Sequence, residues 1–169
     1  LGTGIYGTPL KRGELCASDY EAMIASATRL NTPGPVLACL DGVHAVTGVA
    51  GFGLLGHLLG VCRRSGVGAR VRFAALPLLA LALALAGAGC VGGAAQRNWE
   101  SCSEEVTPGA GIGGKERTVL SDPQASGGLL VSCSPEAVTE VLSIFLQQGF
   151  SHVSVIGEVV AGKPAIEVF

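Results

Sequence analysis

Val43-His-Ala-Val-Thr47-Gly48-Val-Ala50-Gly51-Phe-Gly53-Leu-Leu-Gly56-His57 runs from an apolar stretch through a glycine-rich turn onto helix-spaced leucines. Val43 to Thr47 reads as a strand and Phe52 to Cys62 as a helix, which Arg63 and Arg64 close favourably against the dipole. Beyond this strand-turn-helix unit, Val67, Ala69, Val71 and Phe73 alternate with Gly68, Arg70 and Arg72, the period of a half-buried strand. Upstream, Leu1 to Tyr6 reads as a short strand. Ser18 or Asp19 caps a helix carrying Tyr20, Met23, Ile24 and Ala27, and the prolines of Asn31 to Pro35 impose a loop. Downstream, Leu76 to Ala86 predicts a helix, and Gly87 to Lys115, rich in small residues, predicts mostly loop with Thr107 to Lys115 as a mobile tip. A strand follows at Leu129 to Cys133, then a helix from Ser134 with Pro135 at its first position to about Gln148. Val153 to Val160 and Ala165 to Val168 close the chain as a hairpin-like pair around Gly162. Such irregular alternation predicts an α+β fold, a mixed β-sheet with helices packed mainly on one face, in one domain over residues 1–169.

The 169 residues are 49% hydrophobic, enough for one core without metal or disulfide staples. A net charge of −2 gives no footprint for nucleic acid or an anionic membrane, so neither is expected as a partner. The longest apolar run, Leu76 to Gly89, falls short of the roughly 20 residues that cross a bilayer. Six scattered cysteines (16, 39, 62, 90, 102, 133) form no CxxC pair and read as buried free thiols, which implies a reducing, cytoplasmic setting. No secretory signal opens the chain, and without an initiator Met it reads as a trimmed fragment.

Gly51-Phe-Gly53-Leu-Leu-Gly56 matches GxGxxG between a predicted strand and a predicted helix. Its free amides either hold an anion such as phosphate, or its glycines only let helix and sheet pack closely. NAD is disfavoured because no Asp or Glu lies between Gly42 and Trp99; Arg70 and Arg72 leave NADP open. With Arg63, Arg64 and Arg97 they form a local basic excess that faces either phosphates or solvent. His44, His57 and His152 have no partner at metal-ligand spacing, and His57 reads as a locally packed helix residue. Asp122-Pro-Gln-Ala-Ser126-Gly-Gly128 is a turn able to bond backbone or ligand. No nucleophile-base order and no paired carboxylates emerge, so the chain alone looks catalytically incomplete.

Four segments together resemble the second domain of selenophosphate synthetases, in that family's order. Leu1-Gly-Thr-Gly-Ile5 resembles the linker-strand that opens the domain, Thr47 to His57 resembles TDVTGFGLLGH, Gly92 to Asn98 resembles GGTxRN, and Ser121 to Leu130 resembles SDPQTSGGLL. The resemblance implies an α+β carboxy-terminal domain of the aminoimidazole-ribonucleotide-synthetase-like superfamily. It implies formation of selenophosphate from selenide, ATP and water in a full-length homodimer, with Mg²⁺. It places the reactive Cys or selenocysteine and most metal- and ATP-binding carboxylates in an amino-terminal domain absent here, so this fragment is expected to be inactive and to bind neither cofactor tightly. The residues expected to face the cofactor are Thr47, Gly51, Gly53 and Asn98. No metal ligand is expected: Gly48 stands where the family has its metal-binding Asp, and Ala50 where it has a Thr. A non-catalytic interaction or regulatory domain of the same fold is the alternative.

Overall fold

The computed structural model describes residues 1–169. The decisive stretch folds as read: β1 (Val43–Gly48) enters the turn and α4 (Gly53–Ser65) leaves it. Leu54, Leu55, Leu58, Leu59 and Cys62 recur at helical spacing and are all buried, so one stripe of α4 faces the core. Gly66, in the left-handed region (φ 66°), ends the helix and donates its amide to the Cys62 carbonyl.

That stripe packs on Ala69 and Val71 of β2 (Val67–Val71) and on Ile166 and Val168 of β6 (Ile166–Val168). These strands are central in a four-stranded sheet of order β3-β6-β2-β5. Within it β3 (Val106–Pro108) and β6 run parallel, β6 and β2 run parallel, and β5 (Gly157–Ala161) is antiparallel to β2. A second sheet pairs β1 antiparallel with β4 (Leu129–Cys133), Thr47 opposite Leu130 and Gly48 opposite Leu129. Its apolar face is covered by Leu37 of α3 (Gly34–Leu37) and by Val141 and Phe145 of α8 (Val138–Gln147). The expected α+β fold with mixed strands and packed helices is thus observed, divided between two sheets.

Several local expectations are corrected by tertiary contacts. Leu1 to Tyr6 is not a strand: α1 (Thr3–Arg12) begins there because Gln124 Oε1 accepts from the Gly2 and Thr3 amides, capping the helix from a distant segment. Leu76 to Ala86 is helical only in α5 (Ala82–Gly87). The Leu79 amide bonds the Leu1 carbonyl and the Leu81 amide bonds Tyr6 Oη, which diverts the earlier turn. Gly87 to Lys115 is not mostly loop. It contains α6 (Gly93–Cys102), a 3₁₀ turn, β3 and the start of α7 (Gly114–Ser121), and the expected mobile tip is held by buried Ile112 and by the Gly109 amide on the Val168 carbonyl. The last two strands do not pair with each other, because β2 lies between them. α2 (Ala17–Ala27) forms where expected, but it begins before the expected caps: Cys16 is its N-cap residue, no side chain caps it, and Ser18 and Asp19 lie within its first turn. Cys62, Cys90 and Cys102 are buried, whereas Cys16 and Cys39 are exposed, correcting the expectation of uniformly buried thiols. No helix is long and apolar enough to cross a membrane.

Leu59, 1% exposed in the centre of the α4 stripe, tests the packing argument. Leu59→Ala is expected to cost about 2–5 kcal/mol, read as a lower urea midpoint at unchanged slope.

Candidate functional site

The turn between β1 and α4 lies against the Ser121 to Gly128 segment. Gly53 adopts φ 68°, and a Cβ there would come within 2.6 Å of the Ser121 carbonyl carbon, so only glycine lets the two backbones approach. Asn98 of α6 joins them: its Nδ2 donates to the Gly51 carbonyl at 2.8 Å and to the Ser121 carbonyl at 2.9 Å. On the other flank the Gln124 amide donates to the Ala50 carbonyl, and the Val49 amide to the Gly128 carbonyl. A Cβ at Gly127 would overlap the Val49 carbonyl.

Below the turn sits a polar centre. Asp122 is 1% exposed; its Oδ2 accepts from the Gly4 amide at 3.0 Å and from Gln124 Nε2 at 2.9 Å. Gln124 Oε1 accepts from the Gly2 and Thr3 amides and from Thr3 Oγ1, and Thr3 Oγ1 in turn accepts from the Ala125 amide. Asp122 Oδ1 is buried without a hydrogen-bond partner. Burial pushes the Asp122 carboxyl up to about 6, although the Ile5 and Gly4 amides and Gln124 pull it partly back. The segment that sequence alone reads as a turn therefore fastens α1 to the glycine-rich turn.

Of the expected cofactor-facing residues, Gly51, Gly53 and Asn98 come together, with Gly53 and Asn98 committed to holding the turn and Gly51 exposed at its surface. Thr47 is half-buried near the end of β1. Gly48 is exposed with open space above its Cα, and Ala50 is exposed beside it. His57 packs against the Phe52 ring, centroids 5.8 Å apart, with Nε2 buried and unpartnered; burial pushes its imidazole down, toward the neutral form. No group of three or more His, Cys, Asp or Glu side chains is placed to hold a metal ion. With no oxygen ligand at position 48 and the buried Asp122 engaged by α1 and Gln124, these residues do not fit Mg²⁺ by themselves. The basic residues also disperse. Arg63 pairs with Glu105, and Arg70 binds Glu167 at 2.8 Å and Glu158 at 3.2 Å, which neutralises a cation the NADP reading needed. The contribution of Asp122 and Gln124 to α1 was missed from sequence, since both bonds span more than a hundred residues.

These features define an AIR-synthase-type carboxy-terminal fold: residues 17–168 match the family of AIR synthase related proteins, C-terminal domain, and the chain belongs to that family. Within it the chain is similar to selenide, water dikinases, 61% identical over 168 residues to that of Dechloromonas aromatica and 51% to that of Paraburkholderia xenovorans. Both comparisons cover 99% of this chain and 48% of the relative, so the chain spans about half the length of the curated relatives it matches. The resemblance drawn from the four motifs is borne out. Among solved structures, the hydrogenase maturation protein HypE of E. coli superposes with a TM-score of 0.62 at 19% identity, covering 99% of this chain and 43% of HypE. A thiamine-monophosphate kinase from Stenotrophomonas maltophilia gives 0.60 at 19% identity, covering 99% and 47%. Both likenesses concern the fold.

The raised Asp122 value fixes a sign. Between 3.8 and about 6 the folded chain holds a proton that the unfolded chain has lost, so this group's stabilisation is complete below that window and is lost as pH rises through it. Asp122→Asn abolishes the titration. The stability difference between wild type and Asp122→Asn is expected to shift in favour of the variant by about 2–3 kcal/mol from pH 4 to pH 7.5, measured by urea unfolding at each pH.

Proposed function

We propose that residues 1–169 form one domain, the carboxy-terminal half of a selenide, water dikinase. In this reading the domain acts in the cytoplasm, on an amino-terminal domain supplied by the remainder of a homodimeric enzyme. The full-length protein makes selenophosphate from selenide, ATP and water, and this chain alone does not. The observation that carries the reading is 61% identity over 168 residues to a protein of that name, together with a turn built as its motifs require.

The chain's own residues supply one wall of a nucleotide-phosphate cleft. Asn98 and Gly53 hold the turn rigid, and Gly51 and Thr47 face the cofactor side. Bound Mg²⁺ would supply neutralisation of phosphate charge, and its ligands would come from the other domain, because position 48 offers none. Position 48, exposed and unobstructed but holding a glycine, also favours a second reading: a non-catalytic interaction or regulatory domain that kept the fold and lost the chemistry.

Joining this chain to the amino-terminal half of the Dechloromonas aromatica relative separates the two. Selenide-dependent AMP and selenophosphate, followed by phosphorus NMR, are expected from the joined protein and not from the isolated chain. Gly48→Asp in the joined protein is expected to raise Mg²⁺-dependent turnover about ten- to a hundredfold, the range that single groups around a metal carry. No activity in either joined form favours the non-catalytic reading, and selenide-dependent AMP from the isolated chain refutes the claim of inactivity.

A further inference from the structure

Helices α6 and α7 pack side by side and leave between them a recess of about 280 Å³ that the turn and the Asp122 centre do not use. Val91 and Ala95 supply apolar wall, Gln96 and Thr118 line it, and Trp99 and Arg117 meet across it. The Arg117 guanidinium lies over the Trp99 ring, its carbon 5.1 Å from the centroid. Arg117 Nε is buried with no hydrogen-bond partner, and Arg117 takes part in none of the chain's ion pairs. Arg117 as a whole is half-buried, so the recess meets its terminal guanidinium nitrogens rather than the enclosed Nε, and that group is charged at any physiological pH. No Asp or Glu lines the recess, and the adjacent Glu116 is turned away, capping α7 through the Gly113 amide at 2.9 Å and lying 3.8 Å from Lys115 Nζ.

We propose that this recess binds a small carboxylate with an apolar body, the carboxylate bridging the Arg117 fork and the body lying against Val91, Ala95 and Trp99. Three features select that class. One unpaired guanidinium matches a single negative charge, and its planar fork fits a carboxylate in bidentate fashion. The apolar wall of Val91, Ala95 and Trp99 favours an anion that carries a hydrocarbon body over a phosphate, which has none to place there. The volume lies just below the ~300 Å³ at which drug-sized ligands begin, so the occupant is small.

Trp99 is the single tryptophan of the chain, so its fluorescence reports on the recess directly. The 169-residue chain is titrated with butyrate as probe, against butyramide, inorganic phosphate and sodium chloride at matched ionic strength. A saturable change with butyrate in the millimolar range or tighter is expected, with butyramide and chloride inert and phosphate weaker. Arg117→Gln is expected to weaken butyrate at least about tenfold, as loss of a charge-assisted pair does. Val91→Phe fills the mouth of the recess, keeps Arg117, and is expected to weaken it similarly, so the test stands even where Arg117→Gln fails to fold. No saturable change with butyrate overturns the proposal. So do equal responses to butyrate and butyramide, phosphate binding as tightly as butyrate, or a folded Arg117→Gln or Val91→Phe that binds butyrate like wild type.

Discussion

The close backbone approach between the β1–α4 turn and Ser121 is the constraint on which the rest of this structure depends. It requires a residue without a Cβ at position 53 and a bridging amide at position 98, because two chain segments at that separation leave carbonyls that only a side-chain donor between them can satisfy. Once that junction forms, α4 is held at the angle that lays its leucines on β2 and β6. Through Asp122 and Gln124 the same junction fixes where α1 begins.

The cost of this arrangement is concentrated in one carboxyl group. Asp122 is buried with one oxygen unsatisfied, and desolvation outweighs the donors that face it. A buried polar group that is only partly satisfied weakens a fold unless it holds something in place, and here it receives the Gly4 amide at the start of α1. The GxGxxG spelling has a parallel explanation. Gly53 serves packing, as one reading of the motif expects, while Gly51 lies open at the surface and takes no part in that close approach. An arginine paired with two glutamates across three strands likewise shows how a basic excess in sequence becomes sheet electrostatics in space.

Legibility from sequence followed the range of the interactions. The β1–turn–α4 unit, β2, β4 and the helix after Ser134 were readable because their periodicity and punctuation are local. Segments of small residues misled: Gly92 to Cys102 carries few large apolar side chains, yet Ala95 and Cys102 bury completely enough to seat a helix against α4 and α7. The terminal strands read as a hairpin because nothing in their own residues reports that β2 intervenes. At the site, Asn98 was selected by its motif, but its two carbonyl partners, 47 and 23 residues away, became visible only in space.

By itself the sequence determined the family, through four ordered motifs, and it determined that position 48 lacks a carboxylate, since composition at a single position needs no coordinates. It also determined the helical face of α4, because hydrophobic periodicity is a one-dimensional property. Only the tertiary structure decided that Leu1 to Tyr6 starts a helix, that Asp122 is buried and hard to ionise, and that Arg117 lies over Trp99 without a partner. Each of these depends on desolvation or hydrogen bonding between segments far apart in the chain, and those energies exist only once the segments meet.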